Sequence, residues 1–203
     1  MGRVSNARER LVEAACRLML SRGYASIGVA EICARADVRK GSFYHFFESK
    51  QALTLEVIDG HWARERAAWI SVLRAPEPAL ERLEKLFRHQ LEAQRAALVT
   101  DGAVHGCLLG NLALELSNQD SVVRARLEEI FGEQVALIQE VLDDAVAEGV
   151  IPVPGPSLAR ALVAQLEGQV MFAKIANDPD VLGDLWDQAK LLLRVAEASQ
   201  TTS

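Results

Sequence analysis

Residues 27–50 read IGVAEICARADVRKGSFYHFFESK, and this stretch decides the fold. Two short helices joined by a tight turn account for it. Gly28 is an acceptable N-cap for the first, with Glu31 three positions on. Val29, Ile32 and Cys33 recur at spacings of three and four, which gives that helix one apolar face. Asp37 stands where the helix must end, and aspartate tolerates the left-handed backbone needed there, though less well than glycine. The second helix is expected over about residues 39–46. It carries Arg39, Lys40, Ser42, Tyr44 and His45, a set of donors around Gly41. A glycine inside a helix costs roughly 1 kcal/mol against alanine, so close approach of the backbone to another surface is a reason to keep it. An ordinary helical hairpin with a solvated basic face is the plainer alternative. A helix-turn-helix whose second helix enters the DNA major groove explains more of the residues.

The segment KGSFYHFFESKQAL resembles the end of the DNA-binding domain of TetR-type bacterial transcription repressors. The likeness runs from about residue 8 to residue 53, in the order helix, Gly-aromatic, helix, AxV turn, recognition helix, aromatic pair, S-K. Asp37 stands where glycine is common and Arg39 where serine or proline is common. Ser49 caps the following helix, which puts Lys50 in its first turn. An ammonium beside free backbone N–H groups suits a phosphate, and the resemblance implies that Lys50 meets the DNA backbone. A solvated lysine is the alternative.

The net charge of -6 is unevenly placed. Residues 1–50 hold nine Lys and Arg against five Asp and Glu, whereas the remaining 153 hold 13 against 23. A basic reader attached to an acidic body fits this division, since the acidic part avoids nonspecific contact with phosphates. We expect a DNA-binding domain over residues 1–52 and an effector-sensing and dimerisation domain over residues 53–203. Cys16, Cys33 and Cys107 show neither pairing nor metal spacing, which favours a reducing cytosol. The first residues, MGRVSNARER, lack the apolar centre of a signal peptide. No apolar run reaches the ~18 residues of a membrane span. A cytoplasmic protein with no membrane partner is therefore expected.

The chain reads as all-α, with about nine helices and no convincing strand. Asn6 and Glu9 form an N-x-x-E capping box for the first helix, with Leu11, Ala15 and Leu18 as its buried stripe. Gly23 ends it. A helix from Lys50 through Trp62 and Trp69 to about Leu73 is too long for the small domain, so it should bridge reader and body. Ala75-Pro76-Glu77-Pro78 breaks it. Further helices follow over about residues 80–99, 107–117, 121–148, 158–176 and 180–198, with Gly149 and Asn177-Asp178-Pro179 as stops. The last two are richer in apolar residues than one buried face each requires. Core packing could absorb them. Pairing with a second copy is preferred, because a helix-turn-helix reader usually spans two half-sites as a dimer. The resemblance implies the same: a homodimer on a two-fold symmetric operator in double-stranded DNA.

A second informative stretch is Val104-His105-Gly106-Cys107-Leu108-Leu109-Gly110-Asn111. Cys107 starts a helix, and helix N-termini favour the reactive thiolate. From composition alone, a buried inert cysteine is the stronger reading. GCLLGN, with QVMFAK further on, is similar to the electrophile- and oxidant-sensing, NemR-like branch of TetR-type repressors. That resemblance implies Cys107 as sensor and Lys174 as its partner. A noncovalent apolar effector is the competing account, with Trp62, Trp69, Phe87, Asn111, Phe131, Gln165, Gln169 and Phe172 as possible pocket residues. His61, His89 and His105 show no repeated metal spacing, and neither metal nor cofactor is expected. An effector-independent architectural DNA binder would share the reader. An enzyme using Cys107 as nucleophile is disfavoured, because no His/Asp set and no phosphate-binding glycine loop accompany it.

Overall fold

The computed structural model describes residues 3–155 and 157–194. Among them it contains nine α-helices and no strand. They are α1 (Arg3–Arg22), α2 (Val29–Arg35), α3 (Lys40–Phe43), α4 (Lys50–Leu73), α5 (Ala79–Asp101), α6 (Leu108–Leu116), α7 (Ser121–Ala147), α8 (Leu158–Ala176) and α9 (Leu185–Leu193). A 3-10 helix, Pro179–Asp184, precedes α9. No described helix is long and apolar enough to cross a membrane. The chain forms two compact units: one up to residue 67 together with 105–131, the other of 68–104 and from 132 on.

In the first unit α1 packs on α2 and α6, and α2 packs on α3. The stripe of α1 is Leu11, Ala15 and Met19, all fully buried. Leu18, expected in that stripe, is only half-buried; Met19 takes its place one residue on. Asn6 is not a cap, because α1 already runs from Arg3 and carries Asn6 exposed within it. Gly23 (φ +81°) ends α1 and Asp37 (φ +51°) follows α2, each in the left-handed conformation. Phe43 is fully buried and Phe47 nearly so, with ring centroids 5.7 Å apart. Burial of such a side chain contributes about 1.5–3 kcal/mol, enough to fix a helix as short as α3.

The second unit packs α5, α8, the 3-10 helix and α9 together. Arg82, buried, donates to the Leu73 carbonyl at 2.6 Å and to Asp144 at 2.8 Å. The Asn177 side chain accepts from the Val104 amide at 2.8 Å, and Asn177 itself closes α8 at φ +50°. The last helix departs from expectation. Asp178 accepts from the Asp180 amide and Pro179 follows, so the chain first winds as a 3-10 helix and only then enters α9. The expected run to residue 198 extends past the described residues. Ser157 lies at the N-cap of α8 without a side-chain capping bond. Met171, Phe172 and Ile175 on α8, with Leu191 and Leu192 on α9, are exposed within the chain.

Candidate functional site

The reader is built on two buried phenylalanines. Phe43 and Phe47 point inward, and the same turns of chain leave Arg39, Lys40, Gly41, Tyr44 and His45 exposed, with Ser42 half-buried. Tyr44 stands edge-on to Phe43, with centroids 5.2 Å apart and planes at 80°. Arg8 lies 5.4 Å over the Phe47 ring and pairs with Glu56, tying α1 and α4 to the back of the reader. The helical segment is shorter than expected: α3 covers Lys40–Phe43, and residues 44–46 continue as turns. An added Cβ at Gly41 would meet no atom of the described residues beyond its own helix within 4 Å. Nothing inside the fold therefore requires this glycine.

Ser49 caps α4 through a 3.0 Å bond from the Ala52 amide. Lys50 turns inward. Its ammonium donates to the carbonyls of Tyr24 at 2.5 Å and Ile27 at 2.6 Å, and sits 3.7 Å over the Tyr24 ring. Two of its three N–H donors are thus committed inside the fold. Burial pulls its pKa down, and the Glu115 carboxylate opposes that shift.

Cys107 is the N-cap of α6, and its sulfur accepts from the Gly110 amide at 3.3 Å. Asn111 donates to the His105 carbonyl at 3.2 Å. Cys107 belongs to the first unit; Lys174 is exposed on the last turn of α8 in the second. The pocket residues divide likewise. Trp62 (buried), Asn111 and Phe131 (both half-buried) belong to the first unit. Trp69 and Phe87 (both buried), Gln165 and Gln169 (half-buried) and exposed Phe172 belong to the second. There, Gln169 donates to the Gln188 side chain at 2.7 Å. A cavity of about 250 Å³ is lined by Phe87, Leu91, Leu182, Leu185 and Trp186 together with Glu84, Arg88 and Asp187. Among the described residues no group of three His, Cys, Asp or Glu is placed to hold a metal ion.

Residues 11–57 match the family described as bacterial regulatory proteins, tetR family, and residues 79–189 match the tetracyclin repressor-like C-terminal domain. The chain belongs to the TetR family. It is 33% identical to the HTH-type transcriptional repressor DhaR of Mycobacterium sp. (strain GP1), over 86% of each chain. It is 26% identical to the HTH-type transcriptional repressor NemR of Escherichia coli (strain K12), over 85% of this chain and 86% of that one. The crystal structure of the reduced form of E. coli NemR matches at a TM-score of 0.80 and 25% identity, covering 94% of this chain and 99% of that one. The regulatory protein TetR from Rhodobacter sphaeroides matches at 0.82 and 26%, covering 92% and 98%.

Three groups in this TetR-family chain have surroundings that were not assigned from the sequence. Glu115, on α6, accepts the amides of Tyr24 at 2.8 Å and Ala25 at 2.6 Å. Its partners lie 91 and 90 residues away in the chain, and no local pattern marks it. Gln134 is 2% exposed, and its side-chain oxygen has no hydrogen-bond partner among the described residues. It falls on the stripe Leu127, Ile130, Gln134, Ile138, so its burial is legible from helical period. His61 faces Cys16 and lies 3.3 Å from Glu65. Burial lowers its pKa, but hydrogen bonding and charge from Cys16 and Glu65 outweigh that and raise it to about 9.

Proposed function

We propose that this chain is a homodimeric, DNA-binding transcription repressor released from a two-fold symmetric operator by a small effector. One observation carries the reading: five residues, Arg39, Lys40, Gly41, Tyr44 and His45, lie exposed on a short helix and its flanking turns, locked from behind by Phe43 and Phe47. Arg39 and Lys40 are assigned to base edges, since both present multiple donors suited to guanine O6 and N7. Ser42, Tyr44 and His45 are assigned to phosphates. Lys50 is assigned to holding the 24–27 turn, because its donors end on that turn's carbonyls. The 1–52 segment acts as reader and 53–203 as sensing and dimerising part. Dimerisation is assigned to the exposed apolar residues of α8 and α9.

The effector is assigned to Cys107, with Lys174 as partner. The supporting observation is that the sulfur itself caps α6, so alkylation or oxidation there removes the bond to the Gly110 amide and adds volume at the start of an apolar helix. A noncovalent effector is favoured instead by the Gln134 oxygen, a buried acceptor that a ligand hydroxyl or amide would satisfy. DNA selected from a random pool should bind the parent protein, and Arg39→Ala or Lys40→Ala should relax sequence preference. Treating that complex with N-ethylmaleimide should release the parent and not Cys107→Ser. Equal release of both proteins transfers the role to the noncovalent site.

A further inference from the structure

The turn between α1 and α2 is gripped by opposite charges. The Glu115 carboxylate holds its amides at Tyr24 and Ala25, and the Lys50 ammonium holds its carbonyls at Tyr24 and Ile27. The two charged side chains come from α6 and α4. Gly23 is shaped to admit the carboxylate. It adopts φ +81°, and a Cβ there would lie 3.1 Å from the Glu115 Oε2 atom. The turn delivers the chain directly into α2, with Ile27 buried and Gly28 as N-cap. α2 in turn packs on α3, so the turn connects to the reader through α2.

α6 is a short rod with its apolar side, Leu108, Leu109, Leu112 and Leu116, fully packed. Cys107 caps one end and Glu115 lies near the other. At 1.5 Å per residue, they are about 12 Å apart along the axis. We propose that Glu115 is a positioning residue for DNA reading. It fixes the α1–α2 turn, and through it the reader, from the helix that begins at Cys107. This inference rests on the repressor reading above and concerns the regulation of the same site.

The test uses the sign of an electrostatic effect. Glu115→Gln removes a negative charge from the unit that meets DNA. Charge alone would therefore tighten DNA binding. Loss of positioning weakens it. Operator binding is measured by fluorescence anisotropy where circular dichroism shows each protein fully folded, so that lost stability alone moves nothing. Binding by Glu115→Gln should fall about tenfold, the scale of one charge-assisted hydrogen bond. Amide exchange at Tyr24 and Ala25 should accelerate in parallel. Glu115→Asp keeps the charge but shortens the reach, so it should fall between parent and Gln; it also carries the test if the Gln variant does not fold. A parent that binds specifically, with Gln and Asp variants binding as tightly or more tightly, overturns the inference. A parent without specific DNA binding overturns the repressor reading itself, and the inference with it.

Discussion

Replacing Gly41 by alanine should make the protein more stable and a worse DNA binder. The residue is exposed, lies in α3 in a right-handed backbone, and has no atom of the described residues beyond its own helix within 4 Å of the position a Cβ would take. Alanine therefore enters without strain and gains roughly 0.5–1 kcal/mol from reduced backbone freedom of the unfolded chain and better helix propensity. For a chain of this size that is a rise of about 1–4 °C in melting temperature. On DNA the methyl group stands between the helix and the groove. A withdrawal of about 1 Å is enough to take Arg39, Lys40 and Ser42 out of hydrogen-bond range, which ends near 3.2 Å. Each good base contact is worth about 1–3 kcal/mol, so losing even one lowers affinity by roughly five- to 150-fold. Calorimetry and operator titration on the same preparation measure both effects. A variant that melts higher and binds as the parent does refutes the idea that this glycine exists for close approach. One that melts lower refutes the reading of free space.

Three further outcomes are expected. Folded His61 titrates at about 9 against an ordinary 6.5. Its contribution is therefore complete below pH ~6.5 and disappears as pH rises through ~9. Urea midpoints of the parent should fall across that window while those of His61→Gln stay flatter, and parallel curves for the two would remove His61 from the account. Lys50→Met should lower the melting temperature, because two carbonyls lose their donor, and leave the salt dependence of DNA binding unchanged. A log–log slope shallower by about 0.9 would instead assign its remaining donor to a phosphate. Leu191→Glu puts a charge on the exposed apolar face of α9 and should yield a monomer by light scattering at micromolar concentration, where the parent is expected to be a dimer; an unchanged dimer mass would place the interface elsewhere.

The apolar face of Val29, Ile32 and Cys33, the donors around Gly41 and the resemblance carried by KGSFYHFFESKQAL were enough to find the reader; the anchoring of so short a helix by Phe43 and Phe47 came only with the structure. The turns at Gly23 and Asp37 were legible because few residues tolerate a left-handed backbone. Boundaries were less so. Asn6 has the chemistry of a cap, yet residues 3–5 are compatible with helix, and capping chemistry does not stop a helix that can continue. The 3-10 start of the last helix depends on Asp178 bonding locally before Pro179. That competition between side chain and backbone has no signature in hydrophobic period. The inward turn of Lys50 and the reach of Glu115 were invisible because their partners are backbone atoms far along the chain, and every residue type offers the same amide and carbonyl.

The first compact unit has a practical consequence for exchange between regulators. It is sewn from two separated stretches, residues up to 67 and residues 105–131. Besides Glu115 on the Tyr24 and Ala25 amides, Asp120 accepts from the Gln51 side chain at 2.6 Å and Arg126 donates to Asp59 at 2.6 Å. A chimera that transplants only residues 1–52 keeps every side chain assigned above to base reading but leaves behind the segment that completes their support. Such a graft should express poorly or read DNA indiscriminately. One that carries residues 105–131 along with the reader should transfer operator choice intact, so the unit of inheritance for specificity is discontinuous in the chain.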